Sequence, residues 1–200
     1  MQAPLWINAI YTDGSGGYAP YGGRGVCGYA AIVWFSDDTT MTLGGTETHS
    51  THQRAELLAL ITALKYLQQY SQQSSIFSDS KYAIDAINHN WINKWSHNGW
   101  LNTKGNPIND RDLWLELAAF QANPKVFATF HHIMGHSDAL GRKGRLAQVK
   151  NRDRYGLESD RHNRGNQMAN LAAGQFRRGE ISGIAEIIGS RNYRDLNQNF

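Results

Sequence analysis

The spacing of apolar residues changes period near Ser50, and that change limits the folds open to this chain. Before it lie three runs rich in β-branched and aromatic residues: 5–12 (LWINAIYT), 26–35 (VCGYAAIVWF) and 39–47 (TTMTLGGTE). These read as strands, the third alternating only weakly, and their short connections favour antiparallel pairing. Between the first two, the Gly-rich stretch from Gly14 to Gly25, with Pro20, reads as a loop of turns. After Ser50 the apolar positions Leu57, Leu60, Ile61, Leu64 and Leu67 recur at three and four, which predicts an amphipathic helix over 53–70. Ser50 with Gln53 fits a capping box at its start.

Further on, 75–79 reads as a short buried strand and 80–88 as a helix. Residues 110–122 read as a helix with Asn109 or Asp110 near its cap and Pro124 beyond its end. Residues 125–134 read as a last strand, and 166–178 as an Ala-rich helix whose basic end suits its dipole. Three strands, helix, strand, helices, strand, helix predicts an α/β domain: a mixed five-stranded sheet flanked by helices. Two hundred residues, 40% of them hydrophobic, suffice for one such core. Residues 179–200 are polar around one apolar patch, Ile184 to Ile188, and read as a tail or docking segment.

Charge identifies no partner by its total, +3, and its distribution says more. Residues 137–164 hold eight basic and four acidic residues, a local +4, so the rest of the chain carries −1. A basic segment on a near-neutral body suggests a polyanionic partner or a solvated loop. Cys27 is the only cysteine, which excludes an internal disulfide and a Cys-rich zinc site. No stretch approaches membrane-spanning length, and no basic-then-apolar leader opens the chain. The expectation is a cytoplasmic, monomeric protein away from membranes.

Three carboxylates fall at strand or helix ends: Asp13 in YTDGS, Glu56 in QRAEL and Asp79 in FSDSKY. Singly, each suits a cap or a first helical turn. If the first and fourth strands are neighbours, Asp13 and Asp79 lie side by side. Carboxylates that close repel unless a cation holds them. Hard oxygen ligands suit Mg²⁺ or Mn²⁺, and two such ions about 4 Å apart can drive phosphodiester hydrolysis.

These motifs carry a resemblance. YTDGS followed by GYAAIV resembles the opening of a type 1 ribonuclease H domain. THQRAELLALITAL is similar to that family's second motif, SDSKYAI to its third, HIMGH to its histidine loop and GNQMANLAA to its last. The resemblance covers about 5–136 and 162–178, so the domain is read as 1–178 with 137–164 inserted. It implies a ribonuclease H-like fold that cuts the RNA strand of an RNA/DNA hybrid, leaving 3′-hydroxyl and 5′-phosphate ends. It implies two Mg²⁺ ions, or Mn²⁺ in their place, on Asp13, Glu56, Asp79 and the fourth position, read as Asn170. His136 would sit in a mobile loop and assist proton transfer or product release. Residues 91–111 resemble the family's protruding handle. There Trp91 would line the DNA-strand channel, Lys94, Lys104 and Arg111 would supply charge, and Trp95 and Trp100 would pack the handle on itself. Thr51 matches a DNA-phosphate pocket, and Gly14, Ser15, His52 and Gln53 match the neighbourhood that contacts 2′-hydroxyls.

The chain departs from the pattern in three ways. An acid is expected where Asn170 stands, and an amide keeps a carbonyl oxygen but loses a charge, weakening the second ion. The 137–164 insertion reads as an arm on the hybrid's phosphates, through Arg142, Lys143 and Arg145. The Gly14–Gly25 loop lacks the family's Asn-Pro element. Two alternatives stay open: a non-catalytic hybrid-binding module, or another nuclease on the same fold.

Overall fold

In a computed structural model the protein is described over residues 6–16, 24–69, 73–137 and 139–182. Its strands are β1 (Ile7–Ser15), β2 (Gly25–Phe35), β3 (Thr40–Ser50), β4 (Gln73–Ser78) and β5 (Phe127–His132). Its helices are α1 (His52–Leu67), α2 (Lys81–Asn88), α3 (Trp91–His97), α4 (Arg111–Gln121), α5 (Arg142–Tyr155) and α6 (Ser159–Arg178). The sheet order is β3-β2-β1-β4-β5. β1, β2 and β3 pair antiparallel, while β4 joins β1 and β5 joins β4 in parallel. The expected mixed five-stranded sheet is therefore the observed one, and β1 and β4 are neighbours.

β1 is covered on both faces, which is why its apolar run is nearly continuous. On one face Ile10 and Ile76 meet Leu57, Leu60 and Leu64 of α1. Each of these leucines is fully buried and contributes about 2 kcal/mol by leaving water. On the other face Ala9, Tyr11 and Phe77 meet Ala169, Ala172, Ala173 and Phe176 of α6. The small residues let α6 lie close to the sheet. At Gly165 an added Cβ would stand 2.4 Å from the Tyr11 ring, so only glycine fits there.

Several local expectations shift. Thr51, not Ser50, caps α1: its hydroxyl accepts from Arg54 N at 3.1 Å, while Ser50 Oγ donates to Glu47 at 2.7 Å. Asp110 precedes α4 but makes no capping bond, and its carboxylate faces Arg54 at 3.5 Å. The last helix begins at Ser159, seven residues early, because the end of the insertion is already helical.

The insertion is also not a free arm. Arg142–Tyr155 folds as α5 and packs against α6, burying Ala147 and Asn151, while Gly144 rests on the backbone of Ala139. That face is spaced for a helix but carries no large apolar residue, so it leaves no hydrophobic period to read. Among the described residues no helix is long and apolar enough to cross a membrane. The tail patch Ile184 to Ile188 lies outside the described residues.

Candidate metal centre and active site

The parallel pairing of β1 with β4 puts their C-terminal ends together, and the first turns of α1 rise beside them. Asp13 therefore comes from the end of β1, Asp79 directly follows β4, and Glu56 hangs from α1. One carboxylate oxygen of each lies within 4.8 Å of the other two. Asp13 and Glu56 are only 4% exposed. Burial, then the neighbouring negative charges, hold both carboxyls well above the usual range. The Gly14 backbone N–H donates to both and offsets part of this. Asp79 is raised by burial too, against the pull of His136 and a hydrogen bond from Asn166.

The asparagine that meets Asp79 is Asn166, not Asn170, at which the sequence pointed. Asn166 is 2% exposed and hydrogen-bonded to Asp79, while its Oδ1 is buried with no hydrogen-bond partner. Asn170 lies one turn further along the same helix face, about 6 Å away along the axis, and has no such bond to Asp79. Gly165 decides the register by resting on Tyr11.

Two buried oxygens thus lack partners at the centre, Glu56 Oε2 and Asn166 Oδ1. Buried acceptors left bare are rare, because each costs about 1–3 kcal/mol of desolvation. Three mutually repelling carboxylates with two unpartnered oxygens fit a hard divalent cation held by oxygen ligands.

His52 turns inward. Its Nδ1 accepts from Gly16 N at 3.1 Å, so the neutral ring carries its proton on Nε2, which faces Glu56 Oε1 at 3.3 Å. Burial keeps this imidazole below its ordinary pKa. Gln53 bonds to Tyr82. Gly14 and Ser15 close β1 beside this group.

His136 is exposed in the left-handed region, at φ 55°, close enough for its charge to act on Asp79. The chain on either side of His136 is hydrogen-bonded to α5 and α6. Asn151 of α5 accepts from Met134 N at 2.8 Å and donates to Met134 O at 3.0 Å, completing a backbone-like bridge. It also donates to Asn163 Oδ1 at 2.6 Å. Ser137 is held from both sides, its carbonyl by Gln148 at 2.7 Å and its hydroxyl by Gln167 at 3.1 Å. Gly135 lies so close to Asp79 that an added Cβ would stand 1.9 Å from Oδ2.

Trp91 and Lys94 line a cavity of about 810 Å³ with Gln53, Tyr82 and Trp95. Lys104 stands at the tip of the following turn and does not line it. Trp100 is buried, and Trp95 sits edge-on to Trp114 at 5.2 Å, so both pack the handle as expected. Arg111 stacks over Trp100 at 5.4 Å. Arg54, which the motifs do not mark, makes a bidentate bond to Asp112 at 2.8 and 2.7 Å and another to Glu47 at 2.9 Å. It ties β3, α1 and α4 together beside Thr51.

Comparison with known proteins agrees with this geometry. The RNase H family model matches residues 7–176. A Ribonuclease H of Thermosynechococcus vestitus is 37% identical over 137 residues, spanning 68% of this chain and 81% of its own. Another, from a Thermoanaerobacter species, is 36% identical over 138 residues, 69% of this chain and 84% of its own. Among solved structures, LC9-RNase H1, a type 1 RNase H with the type 2 active-site motif, has a TM-score of 0.66 at 19% identity. That match covers 98% of this chain and 82% of the other. A foamy viral protease-reverse transcriptase in complex with RNA/DNA hybrid has a TM-score of 0.60 at 19% identity, over 86% of this chain and 20% of that one. The structural likenesses speak for the fold. The family match spans Asp13, Glu56, Asp79, His136 and Asn166, and on that ground the chain belongs to the ribonuclease H family.

Proposed function

We propose that this protein is a divalent-metal-dependent endonuclease that hydrolyses the RNA strand of RNA/DNA hybrids, with Asn166 weakening its fourth ligand position. The observation that carries the reading is the group of three carboxylates within 4.8 Å at the joined ends of β1 and β4. Asp13, Glu56 and Asp79 would hold Mg²⁺, with Mn²⁺ as a substitute, and Asn166 Oδ1 would face a second ion. A bound cation supplies Lewis-acid polarisation of the phosphodiester and activates water.

The protein's own residues position and exclude. Water attacks phosphorus in line, the P–O3′ bond breaks, and the leaving 3′ oxygen takes a proton. His136, exposed beside Asp79, is placed to deliver that proton or to help the product leave. Trp91 offers its face to a deoxyribose of the DNA strand, with Lys94 alongside and Lys104 further out. Thr51 keeps its hydroxyl proton free for a DNA-strand phosphate, because its oxygen accepts rather than donates in the helix cap. Gly14, Ser15, His52 and Gln53 form the wall that would meet 2′-hydroxyls. All of these groups come from one chain, which supports action as a monomer. The lone buried Cys27 suits a reducing, cytoplasmic setting.

Asn166 also favours a second reading, a module that binds hybrids without cutting them. The test is cleavage of a labelled hybrid beside matching RNA and DNA duplexes, in Mg²⁺ and in Mn²⁺, for this chain and Asn166→Asp. Hybrid-specific cutting by either protein supports the nuclease. Binding by both with cutting by neither would replace it with the binding module.

A further inference from the structure

The inserted helix α5 does more than tether His136. Between it and α6 runs a groove of about 460 Å³, lined by Ser137, Gln148, Arg152, Asp160, Arg164 and Gln167 among others. Arg152 and Arg164 are exposed, and neither makes an ion pair with a described residue. Two unpaired guanidiniums facing one acid leave the groove net positive. Two of its lining residues adjoin the candidate centre along the chain: Ser137 follows His136 and Gln167 follows Asn166.

Its place in the fold says what it would meet. The handle packs with α1, α2 and α4 on one face of the sheet, through Trp91 and Trp95. α6 packs on the other face, and Tyr155 at the end of α5 joins it there. The carboxylates sit on the sheet end between the two layers. A helix layer on each side of a sheet separates the outer layers by about 20 Å, on the scale of a nucleic-acid duplex. A duplex lying across the sheet end with one strand on the handle therefore presents its other strand to α5 and α6.

We infer that the groove between α5 and α6 is a binding site for backbone phosphates of the RNA strand, away from the scissile bond, with Arg152 and Arg164 as the phosphate-contacting residues. This rests on the hybrid reading above. Arginine forks suit phosphate oxygens, and such contacts fix register without reading sequence. The residues differ from Arg142, Lys143 and Arg145, which the basic segment first suggested.

The experiment measures binding of a hybrid in chelator, by fluorescence anisotropy over a range of salt, for this chain and three variants. Arg152→Ala/Arg164→Ala should lower the slope of log affinity against log salt by about 0.7–0.9 for each phosphate no longer neutralised. Asp160→Asn should tighten binding, because it removes the one acid from the groove. Lys125→Ala removes a positive charge at the opposite end of β5 and should leave the slope unchanged. Methylphosphonates in the RNA strand should erase the difference made by the arginine pair, while the same linkages in the DNA strand should not. An unchanged slope in the arginine variant, or an effect confined to the DNA strand, overturns the proposal while leaving the hybrid reading intact. Failure of this chain to prefer hybrid over duplex DNA overturns both.

Discussion

Replacing Asn166 with Asp should move stability in opposite directions with and without metal. Asn166 donates to Asp79 and keeps a bare Oδ1. Aspartate there removes a donor and adds a fourth negative charge to a group already within 4.8 Å. Two unit charges about 4 Å apart at an effective dielectric of about 20 repel by about 4 kcal/mol. Protonation caps the cost: a carboxyl with an ordinary pKa near 3.9 can escape at pH 7 for about 4 kcal/mol. Without metal the variant should therefore lose about 2–4 kcal/mol. With metal the balance reverses, because a doubly charged ion attracts the new carboxylate more than Asp79 repels it. A net gain of about 2–3 kcal/mol corresponds to Mg²⁺ binding roughly 30- to 160-fold tighter. The assay is thermal melting in chelator and in saturating Mg²⁺, with titration calorimetry for affinity. Asn170→Asp is the internal control, one turn away, and should do little in either condition. Equal melting of Asn166→Asp and parent in chelator, with unchanged Mg²⁺ affinity, would refute the argument. So would finding these effects in Asn170→Asp instead.

Three further outcomes follow from the geometry. Asn151→Leu should leave the Met134 N–H and C=O without partners and cost about 2–4 kcal/mol, read as a lower melting temperature and faster amide exchange at Met134; unchanged exchange there would show that α5 does not hold the loop. His162, half-buried between Phe77 and Tyr155, shares a hydrogen bond of 3.0 Å between its Nδ1 and the Tyr11 hydroxyl, and burial depresses it to about 4. The unfolded chain then binds more protons between about pH 4 and 6.5, so stability is complete above that window and falls as pH drops through it. Solvent screening of a half-exposed ring reduces the effect to about 1–2 kcal/mol, and His162→Phe should flatten this limb of the stability profile relative to the parent. Gly135→Ala should displace Asp79 and weaken Mg²⁺ binding at least tenfold on calorimetry, with a smaller change in melting; intact affinity would mean that the backbone yields without moving the carboxylate.

Much of the fold was legible because its information is local. The β-branched and aromatic runs of β1 and β2, nearly continuous because both faces are covered, and the period of three and four in α1 depend only on how each residue meets the core. The three acids were legible through the motifs that hold them, Asp13 and Asp79 at strand ends and Glu56 just past the first turn of α1. Thr51 and Ser50 differ by one place, and either hydroxyl could cap the helix until the backbone chose. Asn166 and Asn170 could not be separated by period at all. They are four apart on one helix face, and the choice rests on where α6 sits against Tyr11.

What the sequence determined by itself, then, was the set of elements and the carboxylates at their ends, through hydrophobic period and motif. Tertiary structure alone decided which asparagine meets Asp79, that α5 is a packed helix tethering His136, and that Arg152 and Arg164 share a groove. The physical reason is that those choices rest on close approaches and hydrogen bonds between residues distant in sequence. A small glycine against a ring, or an amide against a backbone peptide, leaves no periodic mark along the chain.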